Sequence, residues 1–140
     1  MANLLTAFMD RAQVPDRDAL QEALKSLKFK LHIDDSYVPF GCKGYIPCTI
    51  DGEDSGIEIK FTDSSESFSD APPLKAQIED RDTGINIRWG GDPREVASAV
   101  MVAATLAQNF GALVHRDGED DFRTADQLLE EARGAFAQLD

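Results

Sequence analysis

Trp89-Gly90-Gly91-Asp92-Pro93-Arg94-Glu95, followed by Val96 to Ala107 without a single charged residue, sets the architecture of this chain. It reads as the end of a strand, a tight turn and a capped helix. Asp92 is suited to the N-cap, Pro93 to the first helical position and Glu95 to the third. Behind them, Val96 to Ala107 offers no polar face to water, so the helix is expected at the buried centre of a domain. Gly111 is the natural residue for the left-handed stop that follows a helix. A central helix of about 93–110 results.

Working outward, Ala112 to Arg116 reads as a short strand. Thr124 and Gln127 form a capping box that opens an amphipathic helix with Ala125, Leu128, Leu129, Ala132 and Phe136 inward. On the other side, Ile85 to Trp89 alternates as a strand, Asp80 to Gly84 is a turn, and Leu74 to Ile78 is expected as a strand. The Ser-, Asp- and Pro-rich stretch from Asp63 to Pro73 reads as a long mobile loop. Tyr45–Ile50 and Gly56–Phe61 are expected to pair as a hairpin around an Asp51–Gly56 turn, with Pro47 marking an edge or bulge. Lys28 to Ile33 alternates strictly, as a half-buried strand does. Asn3 to Leu27 is expected to be helical. Leu4, Leu5, Phe8 and Ala12 share one face, Pro15 interrupts, and Asp16 caps a second segment carrying Leu20, Ala23, Leu24 and Leu27. This order predicts an α+β fold in a single domain, 1–140. An antiparallel β-sheet meander carries N-terminal helices, a central buried helix (about 93–110) and a C-terminal helix packed on it.

Composition narrows the function. The chain has 140 residues, 42% of them hydrophobic, which is ordinary for a globular domain and excludes a disordered one. No apolar run approaches the ~18–20 residues that span a bilayer. The N-terminal stretch has no basic region and meets Asp10 early, so no signal peptide is read and cytoplasmic residence is expected. Cys42 and Cys48 lack redox spacing and are expected as reduced thiols. Net charge is −12, from 26 acidic and 14 basic residues. That argues against nucleic acid and against an anionic membrane, both of which need clustered Lys and Arg. It suits a basic protein partner. The acids concentrate: twelve lie between Asp34 and Asp82 against four basic residues, and eight lie between Asp117 and Asp140 against Arg123 and Arg133.

No motif nominates a reaction. His32, His115, Cys42 and Cys48 lack the spacing of a zinc site, and neither thiol stands before a helix N-terminus that would activate it. The acidic turns at Asp51–Asp54 and Asp117–Asp121 do not follow the calcium-loop pattern. Gly90-Gly91 before a helix resembles a phosphate cradle, but Asp92 would occupy those amides and repel an anion. We therefore expect no enzyme, catalytic residue, metal or cofactor. The acidic turns are the candidate interaction surface, because binding residues gather in loops. They supply Asp51, Glu53 and Asp54 from one turn and Asp117, Glu119, Asp120 and Asp121 from the other.

Two stretches carry a resemblance. They are Gly44-Tyr45-Ile46-Pro47-Cys48-Thr49-Ile50-Asp51-Gly52-Glu53-Asp54-Ser55-Gly56-Ile57-Glu58-Ile59, and Arg88-Trp89-Gly90-Gly91-Asp92 through Gly111-Ala112-Leu113-Val114. Together they resemble small bacterial immunity proteins, encoded beside secreted or contact-delivered toxins. The resemblance implies a non-enzymatic toxin inhibitor that neutralises a cognate effector domain by protein binding. It supplies no catalytic residues. Two other readings stand beside it. One is a small-ligand sensor or enzyme with a cleft between the sheet and the N-terminal helices. The other is a structural subunit of a larger assembly, which an exposed apolar face through Leu4, Leu5 and Phe8 would favour.

Overall fold

A computed structural model describes residues 3–65, 68, 71–78 and 80–139. The strands are β1 (Leu4–Met9), β2 (Leu31–Ile33), β3 (Lys43–Ile50), β4 (Glu53–Asp63), β5 (Thr83–Arg88), β6 (Leu113–Arg116) and β7 (Phe122–Arg123). The helices are α1 (Arg17–Ser26), α2 (Pro72–Ile78), α3 (Pro93–Asn109) and α4 (Ala125–Ala137), with a short 3-10 turn at Arg11–Gln13. The strands form one sheet in the order β2-β3-β4-β5-β1-β6-β7, and every pair is antiparallel. The α+β class read from the sequence is the observed one.

The central helix is as expected. Ala97 to Leu106 of α3 are all buried, with the helix laid across β1, β3, β4, β5 and β6 and flanked by α1 and α4. Its two interior hydroxyls are satisfied by its own backbone: Ser98 donates to the Arg94 carbonyl and Thr105 to the Met101 carbonyl, each at 2.8 Å. The Asp92 carboxylate accepts from the Arg94 N–H at 2.8 Å. Glu95 reaches back to the Gly90 N–H at 2.7 Å rather than to the N-cap amide. At the far end Gly111 takes φ 73° and the Ala112 N–H returns to the Leu106 carbonyl. The Thr124–Gln127 capping box of α4 forms in full.

Two elements differ from expectation. Residues 4–9, expected as helix, are β1, between β5 and β6. Leu5, Ala7 and Met9 face the helices, while Phe8 lies on the other side of the sheet under Phe68 and Phe122. Because apolar residues sit on both faces, the alternation that marks a half-buried strand is missing, and a short apolar run fits either period. The insertion also breaks the meander: only β2 to β5 follow one another in space, and β1 separates them from the β6–β7 hairpin. Leu74 to Ile78, expected as a strand, belongs to α2, where Leu74 and Ile78 are the buried residues, one helical turn apart. Pro72 and Pro73 suit a first helical turn, which needs no N–H donor there. The loop expected over 63–73 is taken up partly by the end of β4 and the start of α2, and its residues 66, 67, 69 and 70 lie outside the described ones.

The sheet therefore has two unlike faces. One carries α1, α3 and the main core. The other is covered at β1, β6 and β7 by Phe68, whose ring meets Phe8, His115 and Phe122. Toward β3, β4 and β5 that second face is open, with Tyr45, Glu58, Lys60 and Arg88 exposed.

Candidate functional site

Strand register brings the two acidic turns to one end of the sheet. At that end Arg88 of β5 stands opposite both Leu4 of β1 and Glu58 of β4. Leu5 stands opposite Arg116 of β6, and the Asp117 N–H donates to the Leu4 carbonyl at 3.0 Å. β4 continues past β5 from Glu58 back to Glu53, paired only with β3. The β3–β4 turn thus extends about 16 Å past the end of β5, at ~3.3 Å per residue, with β2 alongside β3 up to Ile50. Three strand spacings, about 14 Å, separate β4 from β6 across this end. The N-terminus of α3 opens here as well, because it follows directly from β5.

The β3–β4 connection is tighter than its sequence suggested. Ile50 pairs with Glu53, leaving Asp51 (φ 52°) and Gly52 (φ 82°) as a two-residue turn. Positive φ at both positions matches the twist of the flanking strands. Glu53 and Asp54 therefore belong to β4 and point to opposite faces. Glu53 lies on the helix side, 3.8 Å from the Arg94 guanidinium. Asp54 lies on the open side, opposite Thr49, whose other neighbour is His32. With His32, Asp34, Tyr45 and Thr49 it lines an open depression of about 340 Å³. The Asp51 carboxylate lies 3.9 Å from the Lys30 ammonium, a contact exposed on both sides.

In the second turn, Glu119 is committed internally. Arg123 donates to it through Nε at 3.1 Å and through a terminal nitrogen at 2.8 Å, and also pairs with Glu131 of α4. The Arg123 hydrogen bonds hold the Glu119 carboxyl below its ordinary range. The Glu119 carbonyl accepts from His115 Nε2 at 2.7 Å, which makes that nitrogen the protonated one and closes the turn over a buried ring. Asp117, Asp120 and Asp121 are exposed, and together with Asp54 they have no ion-pair partner among the described residues. Glu119, Asp120, Asp121, Phe122, Arg123, Gln127 and Glu131 line a shallow basin of about 480 Å³.

Of the seven carboxylates read as an interaction surface, topology thus gathers all at one end but leaves four free. Sequence reasoning did not anticipate Arg123 and Glu131 as the partners that engage Glu119. Arg123 follows Glu119 by four residues, but nothing in the pattern announces that Glu131 folds back onto the same guanidinium. Between the turns, Arg116 lies over the Trp89 ring at 5.2 Å, and Glu95 and Asp92 occupy the Gly90 and Arg94 amides. Those two helix-entry amides are already paired with carboxylates.

The remaining candidates are placed as follows. Both cysteines are free, and Cys48 is buried on the helix side of β3 while His32 is exposed on the other side. Burial pushes the Cys48 thiol up, which disfavours a thiolate nucleophile. His32 Nε2 meets the Arg17 guanidinium at 3.0 Å and so acts as the acceptor. Among the described residues no three His, Cys, Asp or Glu side chains converge as a metal site. Leu20 and Leu24 of α1 are buried in one core cluster with Ile33 of β2 and Ile50 of β3. Leu4, Leu5 and Phe8 do not form an exposed apolar face: Leu5 and Phe8 are buried in β1 and Leu4 is half-buried. Among the described residues no helix is long and apolar enough to cross a membrane.

No protein-family model matches this chain, and no curated protein and no solved structure matches it either.

Proposed function

We propose that this protein is a non-enzymatic inhibitor of the immunity type, a cytoplasmic protein that neutralises a toxin domain by covering a basic surface with the acidic end of its sheet. The observation that carries this reading is the convergence of two turns, remote in sequence, at one end of the sheet, with Asp54, Asp117, Asp120 and Asp121 left without internal ion pairs. A toxin that acts on nucleic acid or a nucleotide presents a basic active site, and an acidic edge complements it in charge. Such complementarity speeds association and selects the partner. The β3–β4 turn, which stands beyond the end of β5, suits a partner's cleft, and the broader β6–β7 turn suits the rim.

The test is a binding measurement against the toxin domain encoded beside this protein, with charge reversals on each turn. Asp54→Lys combined with Asp117→Lys, Asp120→Lys and Asp121→Lys should slow association at least tenfold, by removing electrostatic steering. Reversal of Asp18 and Glu22, on the exposed side of α1, should leave it unchanged. Equal rates for both sets, or binding indifferent to salt, would sink the proposal.

A further inference from the structure

The open face of the sheet holds a second constellation, on its flat rather than at its end. Lys60 of β4 and Asn86 of β5 are register partners, as are Glu58 and Arg88 on the same face. With Gly44 and Ile59 they line a depression of about 370 Å³, within the size range of small-ligand sites. Two cations against one carboxylate make it locally positive, in a chain whose net charge is −12. Neither Lys60 nor Arg88 has an ion-pair partner among the described residues, although Glu58 stands directly opposite Arg88.

Asn86 adds a fixed donor. The Thr6 hydroxyl donates to Asn86 Oδ1 at 2.9 Å, which leaves the amide N–H groups without a protein partner among the described residues. A guanidinium fork, an ammonium and an amide NH₂ around one concavity form a donor set for an oxyanion. We infer that this depression binds a small molecule through a carboxylate or phosphate group. Glu58, which lines the same depression opposite Arg88, limits the excess positive charge and favours a singly charged carboxylate over a phosphate dianion.

The experiment is a two-dimensional amide NMR titration of the intact protein with acetate, succinate and inorganic phosphate in separate arms, each against chloride at matched ionic strength. Saturable shifts confined to residues 58–60 and 86–88 are expected, with the carboxylates binding more tightly than phosphate. Tighter phosphate binding at the same residues would support the site and reverse its preference. Lys60→Gln and Arg88→Gln should each weaken binding about tenfold, the loss of one charge-assisted hydrogen bond. Lys25→Gln should not. Where Arg88→Gln perturbs the fold, Lys60→Gln and Asn86→Ala decide the question. Shifts that never saturate, that spread over the surface lysines, or that survive Lys60→Gln overturn the inference.

Discussion

Glu119 shows how one side chain can look like surface and act as structure. Its carboxylate receives two hydrogen bonds from Arg123, which a second carboxylate, Glu131, steadies from α4. A carboxyl held below its ordinary range contributes stability above its unfolded pKa and loses it as pH falls through the folded one. Because the group is 39% exposed, the contribution is that of a surface network, about 1 kcal/mol. Glu119→Gln should lower thermal stability by that amount at neutral pH, and the gap to the parent protein should close as pH drops through the carboxylate range. A gap of constant size across pH would show that packing rather than charge is at work. Gly111 gives a contrasting case. Its φ of 73° is the left-handed stop of α3, and a Cβ there would meet nothing within 4 Å. Gly111→Ala should therefore cost about 1 kcal/mol through backbone strain alone, read as a fall in denaturant midpoint with unchanged slope.

Among the elements, β2 is one of the two edge strands of the sheet and is three residues long. Its free edge is closed by side chains from α1. Gln21 donates to the Leu31 carbonyl and accepts from the Ile33 N–H, each at 2.9 Å, so its amide takes the place of a neighbouring strand. Arg17 adds two bonds to the Ile33 carbonyl, at 2.9 and 2.7 Å. An open edge invites pairing with other chains. Gln21→Leu should cost about 1–3 kcal/mol by leaving two buried backbone groups unpaired. It should also raise aggregation on heating, followed by light scattering; stability unchanged from the parent would show that water replaces the amide. The sequence places Gln21 on a helix beside Leu20, Ala23 and Leu24, and nothing local gives it a role. Its role is visible only once β2 lies beside it. β1 was hidden for a related reason: six residues with apolar side chains on both faces give no periodic signal, and their partners β5 and β6 lie far along the chain.

At the scale of the whole molecule, 26 acids and 14 basic residues repel more than they attract. The paired basic residues serve local needs: Arg17 closes an edge, Arg94 binds the start of α3 to β4, and Arg123 ties the last hairpin to α4. The acids left over gather at one sheet end because β3, β4 and β6 all present turns there. Screening should relieve that repulsion. The melting temperature should rise between low salt and ~0.15 M, where the screening length falls to about 8 Å. Asp120→Asn with Asp121→Asn should raise the low-salt value and flatten the salt dependence. A melting temperature that falls with salt would mean that the ion pairs outweigh the excess of like charge.

The sequence by itself determined what local chemistry determines. The capped, uncharged helix α3, the Thr124–Gln127 box of α4, the alternating strands beside the acidic turn and the excess of carboxylates were all legible, since each depends on residues a few positions apart. Tertiary structure alone decided that residues 4–9 extend rather than coil, because only pairing with β5 and β6 satisfies that backbone. It also decided that Glu53 and Asp54 face opposite ways, that Glu119 is engaged, and that two turns more than sixty residues apart share one edge. Strand order and cross-strand register set these features. Both are relations between segments distant in sequence, stabilised by burial and hydrogen bonds that exist only after the chain has closed on itself.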